Sequence, residues 1–201
     1  MPPDPVHHLR RRDPALRPAL RAARPLRRPR RVDLYRDLLE AIVSQQLSVK
    51  AAATIFGRFL ALFADGYPAA PLLRGLSLDQ LRAAGVSRQK AGYLKNVADF
   101  ALHHDLSARA LRRLSDEEIL AHLTAIKGVG RWTVEMLLMF SLGRPDVFPA
   151  DDLGIQNAMK KLYGLRVRGP ALRRRMAVIA EAWRPHRTYA CVCLWRMGDE
   201  R

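Results

Sequence analysis

Apolar residues three and four positions apart recur in one run after another along this chain, and that period is what most limits its fold. From Asp33 to Leu47, residues Leu34, Leu38, Leu39, Ile42 and Val43 fall on one helical face, and Ser48 to Phe63 carries a second such stripe. Serine stands as a cap ahead of the next runs. Ser77 opens a helix over Leu78 to Ala84, and Ser87 opens one from Arg88 to about His104. Ser115 with Glu118 forms a capping box whose helix reaches Ile126. Beyond a turn over Lys127 to Gly130, an apolar helix is expected from Arg131 to Leu142. Others should run from Pro149 to near Gly164, from Pro170 to Trp183 and from Thr188 to Trp195. No segment alternates with period two and no internal repeat occurs, so the chain reads as an all-α array of about nine or ten helices.

Two further features bound the organisation. Residues 1–12 hold Pro, His and Arg without apolar periodicity and are expected to form a disordered basic arm, with one domain over 13–201. Asp13-Pro14 then reads as an N-cap with proline at the first helical position, opening a short helix to about Ala23. The formal net charge is +16, and the first 31 residues supply ten arginines against Asp4 and Asp13. So positive a field favours a polyanion, nucleic acid first. Arginine outnumbers lysine 29 to 6, which suits bidentate phosphate contacts but also follows from a GC-rich genome. Cys191 and Cys193 are too close to close a useful disulfide loop, and two ligands do not make a zinc or iron–sulfur site. No run of about twenty apolar residues and no apolar leader occur, so the expected setting is cytoplasmic, and binding to nucleic acid would put the protein at the nucleoid.

The segment Leu123-Thr-Ala-Ile-Lys-Gly-Val-Gly-Arg-Trp-Thr133 lies between two helical patterns and reads as a helix-hairpin-helix, with the motif spanning about 116–142. Gly128 and Gly130 let the backbone turn tightly, so amides of Val129, Gly130 and the next helical turn can receive a DNA phosphate. Lys127, Arg131 and Thr133 join that grip, which reads no sequence. A plain αα-corner would use the same glycines. Downstream, Val147-Phe-Pro-Ala-Asp-Asp152 places two carboxylates after a proline turn. Helix capping is the common use of such a pair.

Together with Ile42-Val-Ser-Gln-Gln-Leu-Ser-Val-Lys-Ala51 and Trp183-Arg-Pro-His-Arg-Thr-Tyr-Ala190, these blocks resemble the helix-hairpin-helix DNA glycosylases, nearest to the 3-methyladenine glycosylase II branch. The resemblance covers about Asp13 to Met197. It implies two packed helical lobes with the active-site cleft between them, acting as a monomer on damaged double-stranded DNA. It puts the catalytic carboxylate at Asp152, with Asp151 a less essential neighbour, and the base-contacting residues at Gln45, Trp132, Met136, Leu153 and Trp195. A carboxylate there would stabilise the oxocarbenium-like charge that builds as a glycosidic bond breaks. Trp132 stands where strand-cutting relatives carry a lysine nucleophile, which implies base release without strand cleavage; core packing is its alternative use. Met136 and Leu153 depart from the tyrosines expected of the branch. Leu47 and Ser48 are the candidates for plugging the gap a flipped base leaves; Leu47 could equally be core and Ser48 a helix cap. The resemblance further implies no required cofactor, with Na⁺ or K⁺ held on the carbonyls of Thr124, Ile126 and Val129.

The expected function is thus hydrolytic excision of alkylated bases. A glycosylase for a deaminated or oxidised base, a non-catalytic DNA-binding module and a helical protein-binding adaptor are the alternatives. The six histidines show no ligand spacing and are read as surface or packing residues.

Overall fold

The computed structural model describes residues 4–22, 24 and 32–199, and all regular elements among them are helical. The chain divides into two compact units: residues 30–137 form one, and residues 1–29 with 138–201 form the other.

In the continuous unit, α2 (Leu34–Ser44) and α3 (Val49–Leu60) pack together, and α2 also packs on α6 (Arg88–His103). The short helices α4 (Ala70–Gly75) and α5 (Leu78–Ala83) lie against α6, which makes α6 the hub of this unit. α7 (Ala108–Leu111) then leads to α8 (Asp116–Thr124) and α9 (Arg131–Met136), which pair across a short turn. Leu38, Leu39, Ile42, Phe59, Leu73, Leu94, Ile119 and Val134 are all fully buried, so the apolar stripe of each helix is its inward face. Ser48, Ser77, Ser87 and Ser115 each accept the backbone N–H three residues on, and Ser77 and Ser115 complete capping boxes with Gln80 and Glu118. Sequence reading missed α4 and α7, which at six and four residues are too short to display a period.

The second unit packs the described N-terminal segment against the C-terminal helices. Residues expected to be a disordered arm instead include α1 (Pro5–Arg12). Asp4 caps it, Pro5 starts it, and Leu9 is fully buried, so a single anchoring leucine suffices where periodicity was invisible. The helix expected over 13–23 is instead two 3₁₀ turns, Pro14–Leu16 and Ala19–Ala22. Further along, α9 gives way after Met136 to a π-turn over Leu137–Ser141, where one long helix was expected. α10 (Leu153–Tyr163), α11 (Gly169–Ala180) and α12 (Arg187–Asp199) complete the unit, with α10 packed on both of the others and α12 on the second 3₁₀ turn.

Asp13 ties this unit together. One of its oxygens caps the first 3₁₀ turn at Ala15 (3.1 Å), and the other accepts from Tyr163 Oη (2.7 Å) and from Nε1 of the fully buried Trp183 (2.8 Å). Burial, then the Asp13 bond, raises the Tyr163 phenol, which keeps it a donor. The block after Trp183 grips the loop before α10. Arg187 pairs with the Asp146 carboxylate (2.8 Å) and bonds its carbonyl (2.6 Å), while buried Thr188 donates to the Arg144 carbonyl (2.7 Å) and accepts from the Val147 N–H (3.0 Å). His186 sits edge-on to His8, with ring centroids 5.1 Å apart.

Two outcomes follow. Asp13→Ala strands a buried indole N–H and a phenol, and should lower unfolding free energy by about 3 kcal/mol in denaturant titration. A loss under about 1 kcal/mol would contradict that role for Asp13. Burial lowers the His186 imidazole, with His8 adding to the shift, and burial lowers His122, with His104 adding. Each binds a proton less readily folded than unfolded, so its stabilisation is present above the unfolded value and lost as pH falls through the folded one. Between about pH 7.5 and about pH 5 the protein should lose stability, and H122Q/H186Q should lose less.

Candidate active site

The hairpin turn is shaped by one face of α6. Gly128 adopts φ +106°, and a Cβ built there would lie 2.2 Å from Cγ of Tyr93, so the ring occupies the space a side chain would need. One helical turn on, Asn96 donates to the Lys127 carbonyl (3.0 Å). One turn back, Lys90 donates to the carbonyls of Val43 (2.8 Å) and Gln45 (2.6 Å), closing the C-terminal end of α2. Burial lowers the Lys90 ammonium pKa, and these two carbonyls supply the acceptors its charge requires. Gln45 in turn donates through Nε2 to the Gly128 carbonyl (3.3 Å). Lys90, Tyr93 and Asn96 thus stand three residues apart on α6 and fix both the α2–α3 turn and the hairpin.

The α2–α3 turn is itself strained: Gln46 has φ +57°, a region that favours glycine. Leu47 follows it and is 38% exposed, whereas Ser48 Oγ is committed to the Ala51 N–H as the cap of α3. Both plug candidates are exposed, and of the two the serine hydroxyl is already bonded within the chain.

Gln45, Leu47, Tyr93, Gly128, Trp132 and Met136 line a pocket of about 760 Å³ within this unit. Trp132 is 44% exposed, so core packing is not its use. The predicted hairpin residues divide by exposure. Lys127, Gly130 and Arg131 are exposed, while the side chains of Ile126, Val129 and Thr133 are buried, leaving these three their backbone groups. Arg131 pairs with the buried Glu135 (2.9 Å). α9 begins at Gly130 without a side-chain cap, unlike the serine-capped helices of the same unit. Gly130 has an ordinary φ of −91° and a Cβ there would touch nothing, so no feature of the fold demands glycine at this position.

Asp152, Leu153 and Trp195 lie in the other unit, whereas Thr124 ends α8 in this one. Asp152 caps α10 through Oδ1, which accepts from the Ile155 N–H (2.8 Å) and from Nε1 of Trp195 (2.8 Å). The Trp195 ring crosses Gly154 so closely that a Cβ would lie 2.9 Å from Cδ1, and Phe140 lies 5.9 Å from it, centroid to centroid. Asp152 is thus a helix cap, and it is at the same time a half-buried carboxylate whose orientation an indole fixes. Its neighbour Asp151 pairs instead with Arg173 (3.2 Å). Leu153 is 67% exposed beside it. Sequence reasoning missed Lys90, Tyr93 and Asn96, although their spacing of three within one helix was a signal. It also missed Gly154, whose signal was a glycine inside the first turn of a helix.

Comparison with known proteins places these features. A family model described as the HhH-GPD superfamily base excision DNA repair protein matches residues 39–185. The Schizosaccharomyces pombe protein named DNA-3-methyladenine glycosylase 1 is 41% identical over 177 residues, covering 86% of this chain and 76% of its own length. Among solved structures, the S. pombe 3-methyladenine DNA glycosylase in complex with abasic DNA superposes with a TM-score of 0.82 at 36% identity, over 96% of this chain and 95% of that one. The DNA-3-methyladenine glycosidase of Bacillus halodurans gives 0.83 at 34% identity, over 97% and 89%.

The two hairpin glycines should behave differently. Gly128→Ala meets both the positive φ and the Tyr93 ring and should cost at least about 2 kcal/mol of stability, whereas Gly130→Ala should leave the unfolding midpoint unchanged. Equal losses in the two variants would contradict this division.

Proposed function

Because the chain belongs to the HhH-GPD superfamily of base excision DNA repair proteins, we propose that it is a monofunctional DNA-3-methyladenine glycosylase that flips an alkylated base out of duplex DNA and hydrolyses its glycosidic bond. The observation that carries this reading is the Asp152 carboxylate, fixed by the Trp195 indole at the start of α10. In the reaction the bond from C1′ to the base nitrogen breaks, and its electron pair leaves with the base. Water then adds to C1′ and gives up a proton, leaving an abasic site. An N-alkylated purine is already cationic and departs neutral, so it needs little general acid help. What the protein must supply is a negative charge near the sugar, where the oxocarbenium-like charge grows, and a held orientation for the water. Asp152 provides both.

Trp132 supplies an exposed aromatic face for stacking the extruded base, with Met136 and Gln45 beside it in the same pocket. Leu47 is the apolar wedge that replaces the lost stacking. No lysine stands at the Trp132 position, so no Schiff base forms there and the strand is left intact. The hairpin grips the backbone through amides at the uncapped start of α9 and through Lys127 and Arg131. The bare Gly130 lets a phosphate approach where a methyl group would meet it. The carbonyls of Lys127 and Gly128 are taken by Asn96 and Gln45. A monovalent cation would sit on those of Thr124, Ile126 and Val129, of which the Ile126 carbonyl also accepts the Val129 N–H (3.0 Å), adding positive charge beside the phosphate. Duplex DNA bearing the lesion is the partner and the protein acts as a monomer. Among the described residues, no helix is long and apolar enough to cross a membrane.

Release of free base from methylated duplex, followed by alkali, tests the reading. Wild type should release base and yield strand breaks only after alkali, and Asp152→Asn should slow single-turnover release at least about 100-fold with binding retained. Strand cleavage without alkali, or full activity in that variant, would overturn it. Release only from deaminated or oxidised bases would shift the lesion class. Trp195→Phe, which keeps a ring but removes the N–H, should slow release about tenfold. Gly130→Ala should weaken duplex binding without changing stability.

A further inference from the structure

Three arginines line a concavity of about 410 Å³ in the unit that holds the N- and C-terminal segments, and among the described residues they are its lining. Arg10 lies in the last turn of α1, Arg17 follows the first 3₁₀ turn, and Arg21 belongs to the second. Each directly follows a buried leucine: Leu9 and Leu16 are 0% exposed and Leu20 is 2%. The leucines lock the backbone inward, so the next residue in each case is exposed on a folded scaffold rather than on a loose tail. Among the described residues none of the three joins an ion pair, although the same unit matches Arg173, Arg184 and Arg187 to carboxylates. The C-terminal end of α1 offsets part of the cost of Arg10, yet three cations in one hollow still repel each other unless an anion enters.

We propose that Arg10, Arg17 and Arg21 form a second phosphate-binding site for duplex DNA, made by the N-terminal segment and distinct from the hairpin. It rests on the DNA reading above. Guanidinium groups bind phosphodiester oxygens in bidentate fashion. Such a site reads no sequence and no lesion, so it holds undamaged duplex as well as damaged. Its effect is on residence along DNA, not on the bond-breaking step.

The test compares full-length wild type, R10Q/R17Q/R21Q, and R166Q/R174Q/R175Q, which removes equal charge from exposed positions of the same unit. Affinity for undamaged duplex is measured across salt concentrations, with thermal melts as the folding check. The first variant should lower the slope of log affinity against log salt by up to about 2.7, since each of three lost phosphate contacts removes about 0.9. The second variant should keep the wild-type slope. Single-turnover base release at saturating enzyme should match wild type in both. An unchanged slope in the first variant, an equal drop in the second, or slower release at saturation would each overturn the proposal. A failure of the DNA reading looks different, because wild type itself would then bind duplex without steep salt dependence.

Discussion

The contact between the Tyr93 ring and the backbone of Gly128 sets the form of the hairpin and of the pocket beside it in the continuous unit. Without a ring against it, a glycine at φ +106° would be a flexible point; with the ring there, it is a fixed bend. From that bend the carbonyl of Gly128 is aimed at Gln45, and the carbonyl of Lys127 at Asn96. Gln45 reaches back to the α2–α3 turn, whose other carbonyls are held by Lys90. The α2–α3 turn, the hairpin and the pocket that Trp132 helps to line therefore all take their position from a single helix. The strain of Gln46 is tolerable because its neighbours are bonded on both sides, which is the setting in which unfavourable backbone persists at functional positions.

The acidic residues explain how a chain with a net charge of +16 folds while keeping a basic surface. Several are spent internally: Asp13 on an indole and a phenol, Asp146 on two arginines, and Glu135 on Arg131. Asp152 follows the same pattern, with an indole N–H and a helix N-terminus as partners. The indole N–H and the Ile155 amide both hold Oδ1, which fixes the direction of this carboxylate at the start of α10. Its neighbour Asp151 pairs with Arg173.

Sequence reading reached those parts of the fold that are repeated and local. Ser48, Ser77, Ser87 and Ser115 mark helix starts because a hydroxyl and a nearby amide are all a cap needs. Gly164 and the proline at the start of α11 mark an end and a beginning in the same local way. Features made by distant residues were not legible. α1 carries one buried leucine and no period, so its order depends on a surface built from the other end of the chain. The role of Asp13 needs Tyr163 and Trp183, which lie 150 and 170 residues away. Lys90 looks like any exposed helical lysine until the end of α2 is laid beside it.

The division between the two glycines of the hairpin carries the same lesson into function. Gly128 answers to the fold, since both its φ and the ring beside it exclude a side chain. Gly130 answers to nothing within the chain, for its φ is ordinary and its Cβ position is open. A residue without an internal reason for being small stands where α9 begins uncapped, which is where a phosphate would be received. Sequence spacing treats the two as one motif. Physically the first builds the turn and the second leaves room for the ligand, so loss of the one should show in stability and loss of the other in binding.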